Sequence, residues 1–244
     1  MTFSSTKTNI DLGGVHSFMP RPITIAIDGF SGCGKSTLAR SLADKLDYRY
    51  IDTGAMYRAV TLYFIRNDIE LDDTMGIAQA LPQIEIDFKP ASDRDGKVTL
   101  LNNENIEKEI RGLAVSKLVS PVATISAVRR AMVAQQRRMG SEGAVVMDGR
   151  DIGTVVFPDA DLKLFLVADL EVRAQRRQAE LEAHGQSVTI DEVLENLKER
   201  DRIDSSRADS PLKQANDAIV IDNSDLSFEE LVERAMAEVN RIID

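Results

Sequence analysis

The chain has 244 residues, 43% hydrophobic and 29% charged, a composition that fits a folded globular protein and excludes disordered, collagen-like and disulfide-scaffold classes. Its 30 basic and 40 acidic residues leave a formal charge of −10, which argues against nucleic acid as a partner. The single cysteine, Cys33, excludes an intrachain disulfide and a multi-cysteine metal site, and it suits a reducing, cytoplasmic setting.

Residues 1–22 are polar, end in Pro20 and Pro22, and lack the apolar core of a secretory signal; they read as a flexible extension, with a docking arm as the alternative. No run of 18 apolar residues occurs, so no membrane partner is expected. ITIAID (23–28) is a short β-branched run ended by Gly29, the pattern of a buried parallel strand. KSTLARSLADKL (35–46) gathers Leu38, Ala39, Leu42 and Leu46 on one helical face, and after a short strand at 49–52 a second amphipathic helix spans 54–67.

Between about 84 and 110 the pattern changes to alternating runs, IEIDF and KVTLL, joined by the turn-rich ASDRDG: a small antiparallel insert. A long helix is expected over 121–139, then strands at 144–148 and 162–168, helices near 170–183 and 190–202, and a last strand at 218–222. Ser227 and Glu230 form a capping box that starts the final helix. Strands alternating with helices imply an α/β fold with a mostly parallel sheet covered on both faces.

GFSGCGKS (29–36) fits G-x-x-x-x-G-K-[ST] and lies between an apolar strand and a helix, where a phosphate-binding loop must lie. Backbone N–H groups turned inward, glycines that allow close approach and a helix N-terminus together suit a polyphosphate. Lys35 is placed for the β- and γ-phosphates and Ser36 for Mg²⁺. A glycine-rich turn without ligand is the bland alternative. Cys33 reads first as a small side chain, with a redox switch as the alternative.

Arginines outnumber lysines 20 to 10, and 11 of them fall between 129 and 207 beside only two lysines. Arg is the planar, bidentate reader of phosphate and carboxylate, so the excess points to positioned oxyanion contacts, with salt-bridged helix faces as the alternative. AVVMDGRD (144–151) ends an apolar strand on Asp148, where a carboxylate can hold Mg²⁺ or merely cap a turn.

GFSGCGKST, DTGAMYRAV (52–60), DGRDIGTVVFPDADLKLFL (148–166) and ERDRIDSSR (199–207) together resemble the bacterial cytidylate kinases, from about residue 23 to the end. The resemblance implies a P-loop NTPase three-layer fold: a central parallel sheet, an acceptor-binding region enlarged by the antiparallel insert (about 53–140), and a helical lid (about 170–207). It implies γ-phosphoryl transfer from ATP, with Mg²⁺, to CMP or dCMP.

By position in the matching motifs, Gly29, Phe30, Ser31, Gly32, Cys33, Gly34, Lys35, Ser36 and Thr37 correspond to the ATP loop, and Arg173, Arg176 and Arg177 to lid residues near ATP. Thr53, Arg58, Arg150 and Arg207 resemble the acceptor-phosphate contacts. Ser120, Arg129 and Asp151 resemble the cytosine pocket, and Arg200 with Asp204 the ribose contacts. Lys35, Arg150, Arg200 and Arg207 are the expected catalytic cations, and Ser36 and Asp148 the metal pair. Phe30 stands where the family usually has Pro, as does Ser126.

The acceptor in such a reaction is already an oxyanion, so no general base is needed; both histidines, His16 and His184, read as surface residues. A carboxylate at 151 would accept from the N4 amine of cytosine and face the O4 of uracil with no proton between them. A GTPase switch would carry N-K-x-D, which is absent, and a motor-type ATPase a hydrophobic run ending in Asp-Glu, which AVVMDGRD lacks. A P-loop kinase for another small acceptor is the remaining rival. The expected state is a monomer with small-molecule partners only. Most of the excess acid lies in the last 37 residues, away from the segment that would hold the nucleotides.

Overall fold

The computed structural model describes residues 21–90, 97–183 and 185–243. The readings of residues 1–20, of the ASDRDG turn and of both histidines lie outside them. Five strands form one parallel sheet: β1 (Thr24–Gly29), β2 (Arg49–Asp52), β6 (Val145–Gly149), β7 (Leu162–Val167) and β8 (Ile219–Asp222), in the order β2-β6-β1-β7-β8. A separate antiparallel sheet comprises β3 (Ile86–Pro90), β4 (Lys97–Leu101) and β5 (Glu104–Asn105), as the alternating runs require.

Side chains alternate across the parallel sheet, which explains its uninterrupted apolar runs. Ala26, Val145 and Met147 point into one core, shared with α2 (Thr53–Arg66), α4 (Leu113–Val122) and α5 (Ser126–Met139). Ile25, Ile27, Val146 and Leu164 point into the other, shared with α1 (Lys35–Leu46) and α8 (Phe228–Ile243). A third, small cluster of Ala174, Val193 and Leu197 joins α6 (Leu170–Ala183) to α7 (Ile190–Ser206). No helix among the described residues is long and apolar enough to cross a membrane.

The expected helix over 121–139 is two helices. Pro121 lies in the last turn of α4, after which Thr124 and Ile125 donate back only three residues, to Pro121 and Val122, and the chain extends at Ile125 before α5 begins. A proline that reads from sequence as a helix start thus sits near a helix end. Ser126 occupies the first position of α5, where a helix tolerates proline best, so the departure from the family pattern leaves the backbone in place. The short α3 (Thr74–Ala80), capped by Asp73 on the Gly76 N–H at 2.8 Å, was not foreseen because seven residues that include Gly76 show little periodicity. The capping box of Ser227 and Glu230 is present, and Thr189 and Glu192 form another at the start of α7.

Gly29 has φ +145° where β1 runs beside β7, and a Cβ there would lie 2.2 Å from the Leu166 carbonyl oxygen. Backbone cannot yield as a side-chain tip can. Gly29→Ala is expected to cost about 3 kcal/mol in urea unfolding.

Candidate active site

The loop from β1 to α1 turns at Gly32 (φ +79°) and Gly34 (φ +82°), so its amides curl toward the N-terminus of α1. Lys35, the first residue of α1, is buried and donates to the Phe30 carbonyl at 2.5 Å. Burial, followed by the nearby Arg150, pushes its pKa down to about 8, against the pull of Asp148 and Asp28. A bound polyphosphate favours the charged form, so binding of one takes up a proton above that value. Affinity for inorganic triphosphate is therefore expected to weaken as pH rises from 7.5 through 9 in calorimetric titrations, and Lys35→Met is expected to flatten that slope.

Three carboxylates end neighbouring strands at the same edge of the sheet: Asp28 on β1, Asp52 on β2 and Asp148 on β6, the last two directly in register. Asp148 accepts from Ser36 Oγ and from the Tyr50 hydroxyl, both at 2.9 Å, and its carbonyl accepts from Thr53 Oγ1 at 2.6 Å. Burial, then the charge of Asp52, raises its carboxyl to about 6. Asp52 caps α2 through the Ala55 N–H at 2.8 Å and meets Arg111 Nη2 at 3.3 Å.

Near this edge lies a field of buried and half-buried cations. Arg58 on α2 spends one nitrogen on the Ile110 carbonyl and Ser116 Oγ, and burial with the charge of Arg200 lowers it to about 9. Burial and Arg150 lower Arg200 to about 10, and its Nε has no hydrogen-bond partner among the described residues. Arg207 is lowered by burial and by Arg129, and its Nη2 stands 3.6 Å from Asp151. Arg150 donates to Asp204 at 2.8 Å. These groups repel one another with too few acids to balance them, an arrangement that an oxyanion ligand relieves.

Asp151, 4% exposed, accepts from Arg129 Nη2 at 2.5 Å through Oδ2, while Oδ1 accepts no hydrogen bond from a described residue. Arg129 is 2% exposed, lies 5.3 Å over the Tyr57 ring and donates to the Ala123 carbonyl at 3.2 Å. The Tyr57 hydroxyl and Arg129 Nε have no hydrogen-bond partner among the described residues.

A cleft of about 930 Å³ joins these groups. Ser31, Gly32, Gly34, Lys35, Ser36 and Thr37 line one side, and Thr53, Arg58, Ser120, Arg129 and Asp151 another, with Asp148 and Arg150 between. Helices α6 and α7 supply Arg176, Arg177, Arg200 and Asp204, and Arg207 follows α7. Gly29, Phe30, Cys33 and Arg173 are not among the lining residues. Cys33 is buried in the core, with its carbonyl accepting from Asn223 Nδ2 at 2.8 Å.

Arg173 braces the loop instead of facing the cleft: it donates to the Ser31 carbonyl at 3.0 Å and Asp201 at 2.7 Å, and lies 5.4 Å over the Phe30 ring. Arg176 holds Asn223, at 3.1 Å to its side chain and 2.8 Å to its carbonyl. Sequence reasoning missed Asp52, Tyr57, Arg111 and Asn223, which also line the cleft. The first two lie inside the DTGAMYRAV segment; nothing in the local sequence marks Asn223.

The family profile described as "Cytidylate kinase" matches residues 25–241. A cytidylate kinase of Bacteroides thetaiotaomicron is 51% identical over 226 residues, covering 91% of this chain and 99% of its own. One from Parabacteroides distasonis is 54% identical over 213 residues, covering 86% and 93%, and one from Flavobacterium johnsoniae is 51% identical over 226 residues, covering 91% and 98%.

Proposed function

The chain belongs to the cytidylate kinase family, and from that premise we propose that it transfers the γ-phosphoryl group of ATP to CMP or dCMP, giving ADP and CDP or dCDP. The observation that carries the reading is the cleft in which the phosphate loop faces a cluster of under-paired arginines beside a buried Asp151–Arg129 pair.

In this reading the loop amides and Lys35 hold the donor phosphates. Arg58, Arg150, Arg200 and Arg207 hold the acceptor phosphate, whose oxygen is the nucleophile and needs no base. Catalysis then consists of in-line positioning and neutralisation of charge on the transferring group. Asp204 with Arg200 holds the ribose, Thr53 borders the acceptor phosphate, and Ser120, Arg129 and Asp151 read the base. Arg176 and Arg177 come from the lid (about 170–207), which closes over ATP to exclude water; residues 53–140 form the acceptor side.

Mg²⁺ fits the residues present: Ser36 Oγ and Asp148 offer hard oxygen donors 2.9 Å apart, and a raised carboxyl beside a second carboxylate gains from a cation. When bound, the ion supplies charge neutralisation on the phosphate oxygens. The partners in this reading are small molecules, with the chain acting as a monomer in the cytoplasm. The test is ³¹P NMR of ATP, Mg²⁺ and CMP with the enzyme: the γ-phosphate signal should be replaced by the β-signal of CDP, and appearance of free phosphate instead overturns the reading.

A further inference from the structure

Asp28 is the last side chain of β1 before the phosphate loop, 5% exposed, and the transfer reaction leaves it without a role. Its two oxygens accept from the backbone N–H groups of Ile152, at 2.9 Å, and Gly153, at 2.8 Å. Those amides open the single wide helical turn Ile152–Val156, so they have no acceptor of their own within it. The Asp151 carbonyl, just before them, accepts from Val155 at 2.9 Å and Val156 at 3.2 Å. The peptide that carries Asp151 is thus pinned on both sides.

The pinning is specific to a carboxylate. Two adjacent amides need two acceptors on one side chain, and only an ionised carboxylate offers a pair with no competing donor. Burial makes that charge costly, raising the carboxyl to about 6, and the two backbone amides lead the effects opposing the rise. The neighbouring Lys163 does not neutralise it: its Nζ goes to Asp217 at 2.7 Å, while its stem packs on Gly153, where a Cβ would lie 3.1 Å from Lys163 Cδ.

We propose that Asp28 is a positioning residue for base selection, setting the direction of the Asp151 side chain through the backbone of Ile152 and Gly153. The inference rests on the reading of Asp151 as the base-contacting carboxylate. It places the origin of acceptor choice partly on the central strand of the donor loop, where no substrate reaches.

The test compares kcat/KM for CMP over UMP, with ATP saturating, in the wild type, Asp28→Asn, Asp28→Ala and Asp151→Asn, with a thermal melt of each. Asp28→Asn keeps one acceptor and the shape. It is expected to reduce the ratio about threefold to tenfold and Asp28→Ala by tenfold or more, through a larger rise in KM for CMP than for UMP. Where Asp28→Ala does not fold, Asp28→Asn carries the test. An equal fall with both acceptors, or a lowered melting temperature with the ratio intact, overturns the inference while the Asp151 reading stands. An unchanged ratio in Asp151→Asn overturns both, and it does so in a protein whose Asp28 is untouched.

Discussion

Lys35→Met is expected to lower kcat about a thousandfold, the scale for removing a positioned cation from a phosphoryl-transfer site. Lys35 is buried, lies at the first position of α1 and is tied to the Phe30 carbonyl at 2.5 Å, so its charge is fixed inside the loop that would hold the donor phosphates. A charge already in place does not reorganise as the transferring group develops its own. Methionine keeps the length of the side chain and removes a cation whose burial is unfavourable, as its depressed pKa of about 8 shows. The variant should therefore melt no lower than the wild type, and KM for CMP should change little, because the cations proposed to hold the acceptor are separate residues. Single-turnover measurements with thermal melts check all three. A loss of activity accompanied by unfolding, or a kcat within tenfold of the wild type, contradicts the role.

The second large effect concerns choice of base. Asp151→Asn is expected to reduce the preference for CMP over UMP by about 1–3 kcal/mol, roughly a factor of 5 to 150 in the ratio of kcat/KM. Asn is the informative substitution. Asp151→Ala would strand Arg129, which is 2% exposed, and an uncompensated buried charge costs about 3–5 kcal/mol of stability. The amide instead keeps an oxygen for Arg129 Nη2, at 2.5 Å in the wild type. That choice turns its NH₂ toward the position of Oδ1, which accepts no hydrogen bond from a described residue and lies 3.6 Å from Arg207 Nη2, and from there it can donate to O4 of uracil. Activity with UMP should rise as activity with CMP falls. Steady-state kinetics with both acceptors decide it, and an unchanged ratio contradicts the pocket.

The fold was legible in the sequence where periodicity was strong. The β-branched runs at 23–28, 144–148 and 162–168 became the central strands β1, β6 and β7, because a strand covered on both faces must be apolar throughout. The break between α4 and α5 was not legible. Pro121 suits either end of a helix by its own chemistry, and the choice depends on α4 packing against α2, which is a long-range fact.

The candidate site was legible to the extent that its residues sit in contiguous segments. GFSGCGKST, DTGAMYR and DGRD supplied 15 of the 35 residues that line the cleft. Asn223 and Arg111 come from elements that carry no motif, and only the fold brings them to the cleft. Arg173 shows the converse: sequence placed it on the lid near ATP, yet tertiary packing commits its guanidinium to the Ser31 carbonyl and Asp201. The charge of −10 argues against a nucleic-acid partner, but the same chain concentrates under-paired arginines in one cleft. Net charge speaks to the whole surface; a mononucleotide responds to the few groups around it.

The central claim is tested most directly by ADP release from ATP and Mg²⁺ in a coupled assay with CMP, UMP, AMP, GMP and shikimate offered in turn. The account predicts ADP release that depends on acceptor and is fastest with CMP. Release that ignores the acceptor, or that a purine nucleotide or shikimate supports better than CMP, contradicts it.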